Sequence, residues 1–567
     1  MVNMNYYFKR SILVFVLSLG VIVAVNFIAS IFYHRFDLTA EKRYTLTDAS
    51  RHLLKNLDAN IQVDVYLEGN DLPAGIKRLR NETRELLQEF RSVSMGRVSY
   101  QFIDLNSIKK AADKENQQNA LIEKGIRPIN LEVNSNTGYS EKLIFPGAII
   151  KANGREIPIQ ILENQFAFGT QGALNNSVNF LEYKLVNSIQ KITRPHPPRV
   201  AFLQGHDELG LLHLQEFLKT LAQQNFIVDK MELGKDDLLN SHTDILIIAK
   251  PQKAFTDPEK ILIDQFIMHG GKILWLLDEI HADLEDFQLA PYTVAAPREL
   301  NIDDLLFRYG VRINSNLVLD LYCSQIPIIE NIGGNPQPKL YPWVFFPIAI
   351  GKNNHPIIKN LDPVQFRFCS SIDTLANPGV KKTILLTTST YSRIIATPFQ
   401  IYLEGARQRP DPGLFNKKDV PLAVLLEGEF RSYYQNQYTS DLQQLLAASN
   451  TDFRYTSSKN KMIVVADGDV ASNDIDSKNV PLPLGYDKYM QQQFSNKDFL
   501  LNCVEYLIDD NGLIEARNRE IKMRLLDKAK IIDQKALWQI INIALPLLLT
   551  GIFILGYNSR RKKRYAN

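Results

Sequence analysis

The chain has 567 residues, 45% of them hydrophobic and 22% charged, with 28 Gly and 26 Pro. This is ordinary globular composition, long enough for several hydrophobic cores and unlike collagen, extended disorder or a polytopic membrane protein. A net charge of +3 gives no support to a nucleic-acid partner, and the only cysteines, Cys323, Cys369 and Cys503, exclude a disulfide-dense scaffold and a CxxC redox or metal site.

A short tail, residues 1–10, precedes an uncharged run over residues 11–32 that is long enough to cross a hydrocarbon core of about 30 Å as a helix. The run exceeds the roughly 7–15 residues of a signal-peptide core, so it reads as a retained anchor. A second uncharged run, residues 537–557, leads to a basic tail over residues 558–567. Lys9 and Arg10 flank the first run, and Arg560 to Arg564 follow the second. Basic short tails stay in the cytoplasm, so both termini are expected inside and the bulk of the chain across an inner membrane.

Residues 33–193 read as the first folded domain. Helices are expected over Asp48–Asn56, Pro73–Arg91 and Ile108–Lys124, and strands over 61–67, 98–105, 129–133, 143–151 and 156–160, with a turn at Asn153-Gly154. The order βαβαββ resembles a thioredoxin-like sandwich, without the cysteines of its redox chemistry. A Pro-rich linker, Arg194 to Pro198, leads to residues 199–510. There, strands at 199–203, 227–233, 244–249 and 272–277 alternate with helices, the signature of a parallel sheet in a doubly wound α/β domain. Residues from about 300 to 480 read as a further part of the same unit. A polar helix within 511–536 forms a stalk towards the second span.

Ligands bind outside the carboxyl ends of such strands. The candidate cleft is therefore Gly205, His206, Asp207 and Glu208 after one strand and Asp278 after another. His with carboxylates can ligate a metal, but a solvated loop whose acids cap the following helix explains the same residues. Asp467-Gly468-Asp469 reads either as a paired-carboxylate cation site or as a tight turn. Lys250-Pro251-Gln252 offers no nucleophile where a hydrolase of this topology needs one. No GxxxxGK[ST] loop occurs, and no cofactor is implied. Cys323 and Cys369 are expected to stay separate thiols rather than a bridge, and Cys503 to be core. Polar groups in the spans, Asn26, Gln539 and Asn542 with the helix-interrupting Pro546, are candidates for contact with partner helices or the interface.

The ordered segments Arg35 to Thr47, Phe202 to Glu208, Gly270 to Asp278, Leu425 to Phe430, Val465 to Asp469, Asn502 to Leu507 and Arg524 to Lys528, set between two spans, resemble auxiliary subunits of gliding-motility-associated ABC transporters, the GldG family. The resemblance implies a GldF-like permease partner, a GldA-like cytoplasmic ATPase and possible envelope partners. It also implies an α/β domain similar to flavodoxin and class I glutamine amidotransferase folds. The expectation is a non-enzymatic subunit working by binding and mechanical coupling. A solute-binding component and a membrane-anchored, metal-dependent hydrolase built on His206 are the alternatives.

Overall fold

The computed structural model describes residues 15–23, 45–69, 72–135, 138–162, 169–332, 335–436, 440–448, 451–509 and 528–565. The chain divides into a large unit, Tyr44–Arg519, and a small one made of Met1–Arg43 with Glu520–Asn567.

The first half of the large unit carries α1 (Asp48–Lys55), β1 (Ile61–Val65), α2 (Ala74–Val93), β2 (Val98–Phe102), α3 (Ala111–Glu123), β3 (Ile129–Ser135), β4 (Gly138–Ile144), β5 (Gly147–Ala152), β6 (Arg155–Gln160) and α4 (Gly169–Thr193). Strands β2-β1-β5-β6 form one sheet, parallel between β1 and β2 and antiparallel elsewhere. Alternation along β5 sends Ala148 and Ile150 to a core with α1, α2 and α4, and Ile149 to a smaller one with Leu121 of α3. The expected strand over 143–151 is two strands, because Pro146 has no N–H to give to a continuous ladder. Asn153 and Gly154 turn β5 into β6 with φ of 51° and 74°, the left-handed pair a two-residue hairpin needs.

The second half begins with β7 (Arg199–Gln204), α5 (Leu211–Gln223), β8 (Ile227–Glu232), β9 (Ile245–Ala249), α6 (Asp257–Met268) and β10 (Lys272–Leu276). After α7 (Asp303–Tyr309) come three more strands of the same sheet, β11 (Val380–Thr387), β12 (Pro421–Arg431) and β13 (Thr456–Val465), with α8 (Ser440–Ala448) before β13 and α9 (Asn496–Ile508) after it. The order is β11-β12-β13-β10-β9-β7-β8. The five strands from β13 to β8 are parallel, while β12 and β11 add antiparallel pairs at one side. Every residue of β9 is buried, as expected of a central strand covered on both faces. One face packs on α6, α7 and α8 through Ile273 and Trp275; the other packs on α5 and α9 through Leu274 and Leu276.

Residues 280–415 do not simply continue this α/β pattern. Short sheets there, including the hairpin of Cys323–Ile332 with Asn335–Ala349, enclose a separate core around Trp343, Phe346 and Phe368. None of the three cysteines is bonded; Cys369 and Cys503 are buried and Cys323 is half-buried.

In the small unit, residues 15–23 are helical, and the rest of the first expected span, with Asn26, lies outside the described residues. So does most of the expected stalk; from Lys528 the chain is one helix, α10 (Lys528–Tyr565). Its segment Gln534–Lys563 is long and apolar enough to cross a membrane.

Candidate functional site

Strands β7, β9, β10 and β13 are parallel, so their following loops share one edge of the sheet. The chain runs from β7 outward to β8 and then back to β9, which puts the reversal of strand order between β7 and β9. That position is where open α/β sheets bind ligands. Gly205 leaves β7 with φ +119°, a conformation side chains rarely adopt, and Asp207 follows at 55°. This turn lays the loop back over the crevice. Gln252 and Lys253 donate their N–H groups to the His206 carbonyl at 2.7 and 3.1 Å, and Leu209 N–H reaches the Ala249 carbonyl at 3.1 Å. These bonds tie the loop after β7 to the loop after β9 across the switch point.

His206 is buried and its ring stacks on Phe255, with centroids 4.1 Å apart. Its Nε2 lies 3.3 Å from Glu259 Oε2, and its Nδ1 faces Glu208 Oε1 at 3.3 Å without hydrogen-bond alignment. Burial would lower the His206 pKa, but the two carboxylates outweigh it and leave it above the ordinary histidine value. Glu259 has a second duty. It begins α6 in Thr256-Asp257-Pro258-Glu259, where its carboxylate accepts from Thr256 N–H at 2.7 Å and Thr256 Oγ1 at 2.6 Å. Glu208 likewise accepts from His206 N–H at 2.8 Å. Asp207 points elsewhere and pairs with Lys253 at the surface, 2.8 Å away.

Asp278 belongs to a different cluster. Lys250, after β9, also holds a left-handed backbone (φ 55°) and turns its side chain under the sheet edge. Its ammonium lies 2.6 Å from Asp469, 3.4 Å from Asp278 and 3.8 Å from Asp283. Asp278 also accepts from Gly468 N–H at 2.6 Å, and Asp467 accepts from Arg367 N–H at 2.6 Å and Asp469 N–H at 2.7 Å. Arg367 in turn forms a two-pronged pair with Asp474 at 3.0 and 3.2 Å. Gly468 is required for this approach, since a Cβ there would stand 2.5 Å from Lys250 Cβ. Burial pulls the Lys250 pKa down, yet Asp469 and Asp278 hold it above the ordinary lysine range. Burial raises Asp278, and it raises Asp467 further, helped there by repulsion from Asp469 and Asp278. Nearby, burial and the charge of Asp303 push Glu279 up to about 8.

The sheet edge therefore carries two separate ionic sets, His206 with Glu208 and Glu259, and Lys250 with Asp278, Asp469 and Asp283. The five residues read from the sequence as one cleft, Gly205 to Glu208 with Asp278, are divided between them. Lys250 is the residue the sequence reading passed over: its partners lie up to 219 positions away, so no local spacing announces them. Its ammonium also stands where the Asp467-Gly468-Asp469 turn would have held a cation. Among the described residues, no group of three or more His, Cys, Asp or Glu side chains is placed to hold a metal ion. A cavity of about 220 Å³ opens elsewhere, between α4, α5 and α9, and its lining includes none of residues 205–208 or 278.

On α10, Gln539, Asn542 and Pro546 are exposed and, at spacings of three and four, share one face of the helix. Thr550 joins them, its hydroxyl donating to the carbonyl of Pro546. Between Leu537 and Tyr557 the remaining surface of the helix is apolar and exposed, with Ile543, Leu547 and Leu555 each at least 66% exposed.

Residues 197–503, more than half of the chain, match the family described as an ABC-type uncharacterized transport system, and the chain belongs to that family of transporter auxiliary components. Residues 40–151 match a second domain family of unknown function. No curated protein matches the sequence. Among solved structures, the mmIFT52 N-terminal domain shares 15% identity over 55% of this chain and 97% of its own, with a TM-score of 0.31. An exo-β-1,4-mannosidase from Opitutaceae bacterium strain TAV5 shares 13% identity over 53% of this chain, with a TM-score of 0.19. A GH42 β-galactosidase from G. stearothermophilus shares 10% over 48%, also at 0.19. This chain spans only 35% and 40% of those two enzymes, and superpositions this loose define no common fold.

Proposed function

We propose that this protein is a non-catalytic, membrane-anchored auxiliary subunit of an ABC-type transporter of the gliding-motility, GldG-like class. In this reading, the first half of the large unit is a thioredoxin-like domain and the second a flavodoxin- or amidotransferase-like one. Both lie outside the cytoplasm between two spans, coupling a GldF-like permease and a GldA-like ATPase to envelope partners. The observation that carries the reading is the sheet edge itself. Where a working enzyme of this topology keeps an open site, this chain sets a lysine ammonium among three carboxylates and ties its own loops together across the switch point. Membership of the transporter family supplies the context, and the polar stripe of Gln539, Asn542, Pro546 and Thr550 on the apolar middle of the helix suits contact with permease helices. Co-purification from mild detergent tests the reading: a permease and an ATPase are expected with the full chain and not with a chain lacking its apolar helices.

A further inference from the structure

The cavity between α4, α5 and α9 is built from both halves of the large unit. Arg127 and Gln160 come from the first half, Lys184 and Lys191 from α4, Gln223 from α5, and Lys497 from the first turn of α9. Three carboxylates line the cavity, Asp362, Asp498 and Glu505. Glu505 pairs with Lys191 and accepts from Tyr183 Oη and Asn187 Nδ2, each at 3.0 Å. Lys184 gives its ammonium to the Gln160 carbonyl at 2.8 Å. Two cations remain. Neither the half-buried Lys497 ammonium nor the Arg127 guanidinium makes a hydrogen bond or ion pair among the described residues, although both line the same cavity. Burial and the charge of Arg127 depress the Lys497 pKa; Asp498 and Glu216 offset this only in part. The positive end of the 13-residue α9, where Ser495 makes no side-chain capping bond, adds to the potential. Two cations without an ion pair line one cavity, with a helix N-terminus beside them, an arrangement that favours an anion between them.

We propose that this cavity binds a small oxyanion-bearing molecule, a phosphate or carboxylate compound held between Lys497 and Arg127, which clamps the two halves of the large unit together. The volume of about 220 Å³ suits a ligand the size of a phosphorylated or polycarboxylic metabolite. The proposal is independent of the transporter reading. It also places any solute site away from His206 and Asp278.

The test uses the full chain in detergent micelles, titrated with inorganic phosphate and separately with citrate, against chloride at matched ionic strength. Melting temperature and calorimetric heat are the readouts. Wild type is expected to show a saturable rise in melting temperature with at least one of the two anions, and the difference between them tells phosphate from carboxylate recognition. Lys497→Gln and Arg127→Gln should each weaken that binding at least tenfold, while Lys235→Gln, at a distant exposed position, leaves it unchanged. In chloride alone Lys497→Gln should melt no lower than wild type, because an unpaired, half-buried cation has gone; this separates lost binding from lost folding. Absence of any saturable effect beyond chloride, or equal binding by the Lys497→Gln variant, overturns the proposal.

Discussion

Lys250 holds a left-handed backbone without being glycine, a conformation that ordinarily costs about 1–3 kcal/mol and persists where the surroundings enforce it. What enforces it is the need for one ammonium to face Asp469, Asp278 and Asp283 at once. Its side chain is only 8% exposed, so removing the charge leaves carboxylates in a poor dielectric. Lys250→Met is therefore expected to destabilise the large unit by about 3–5 kcal/mol, read as a lower urea midpoint. Pairing it with Asp469→Asn should recover part of that loss, and strictly additive effects would contradict the ionic account. His206 offers a pH signature. Its folded pKa lies above the unfolded value of about 6.5, so its two carboxylate contacts stabilise the protein fully below that pH and the contribution fades as pH rises through the folded value. His206→Gln should be less stable than wild type at pH 5.5, with the deficit shrinking as pH rises through the folded pKa. A deficit that does not change with pH would mean the ring acts only through its stacking on Phe255.

At the scale of elements, α6 shows how a buried polar group fixes a helix in place. Asp264 is completely buried and accepts from Tyr309 Oη at 2.8 Å, Ser432 Oγ at 2.6 Å and Tyr433 N–H at 2.9 Å, joining α6 to α7 and to the segment after β12. Burial raises its pKa even against these donors. Asp264→Ala would strand several buried donors at about 1–3 kcal/mol each and is expected to lower the melting temperature by more than 5 °C. A shift below 2 °C would show that water replaces the carboxylate. The elements also show what the sequence could and could not convey. The strands expected at 244–249 and 272–277 were readable because apolar runs are local signals. Helix α4 escaped, since asparagines and serines interrupt its apolar stripe and its partners lie in both halves of the unit. The antiparallel direction of β12 was equally hidden, because long connections let an apolar run join a sheet either way round.

At the scale of the whole molecule, the two halves of the large unit meet through α4, whose Lys191, Asn187 and Tyr183 converge on Glu505 of α9. The sequence suggested two domains and a linker; the shared contacts and the cavity beside them depend on residues more than 300 positions apart and leave no local trace. The candidate site was legible only as a place. His206 and Asp278 follow β7 and β10, whereas their partners, Glu259 in the first turn of α6 and Lys250 in the loop after β9, are brought to them by the sheet order. In the small unit, the apolar segment of α10, with Gln539, Asn542 and Pro546 along one face, is long enough to cross a membrane, and its exposed Leu and Ile side chains suit lipid rather than water. The most direct measurement is a mild-detergent pull-down of the full chain, beside a chain without residues 1–32 and 537–567, with the captured proteins identified by mass. The account requires a polytopic permease and a nucleotide-binding subunit with the full chain, both lost from the truncated one. Recovery of the full chain alone, or of the same partners with the truncated chain, would contradict it.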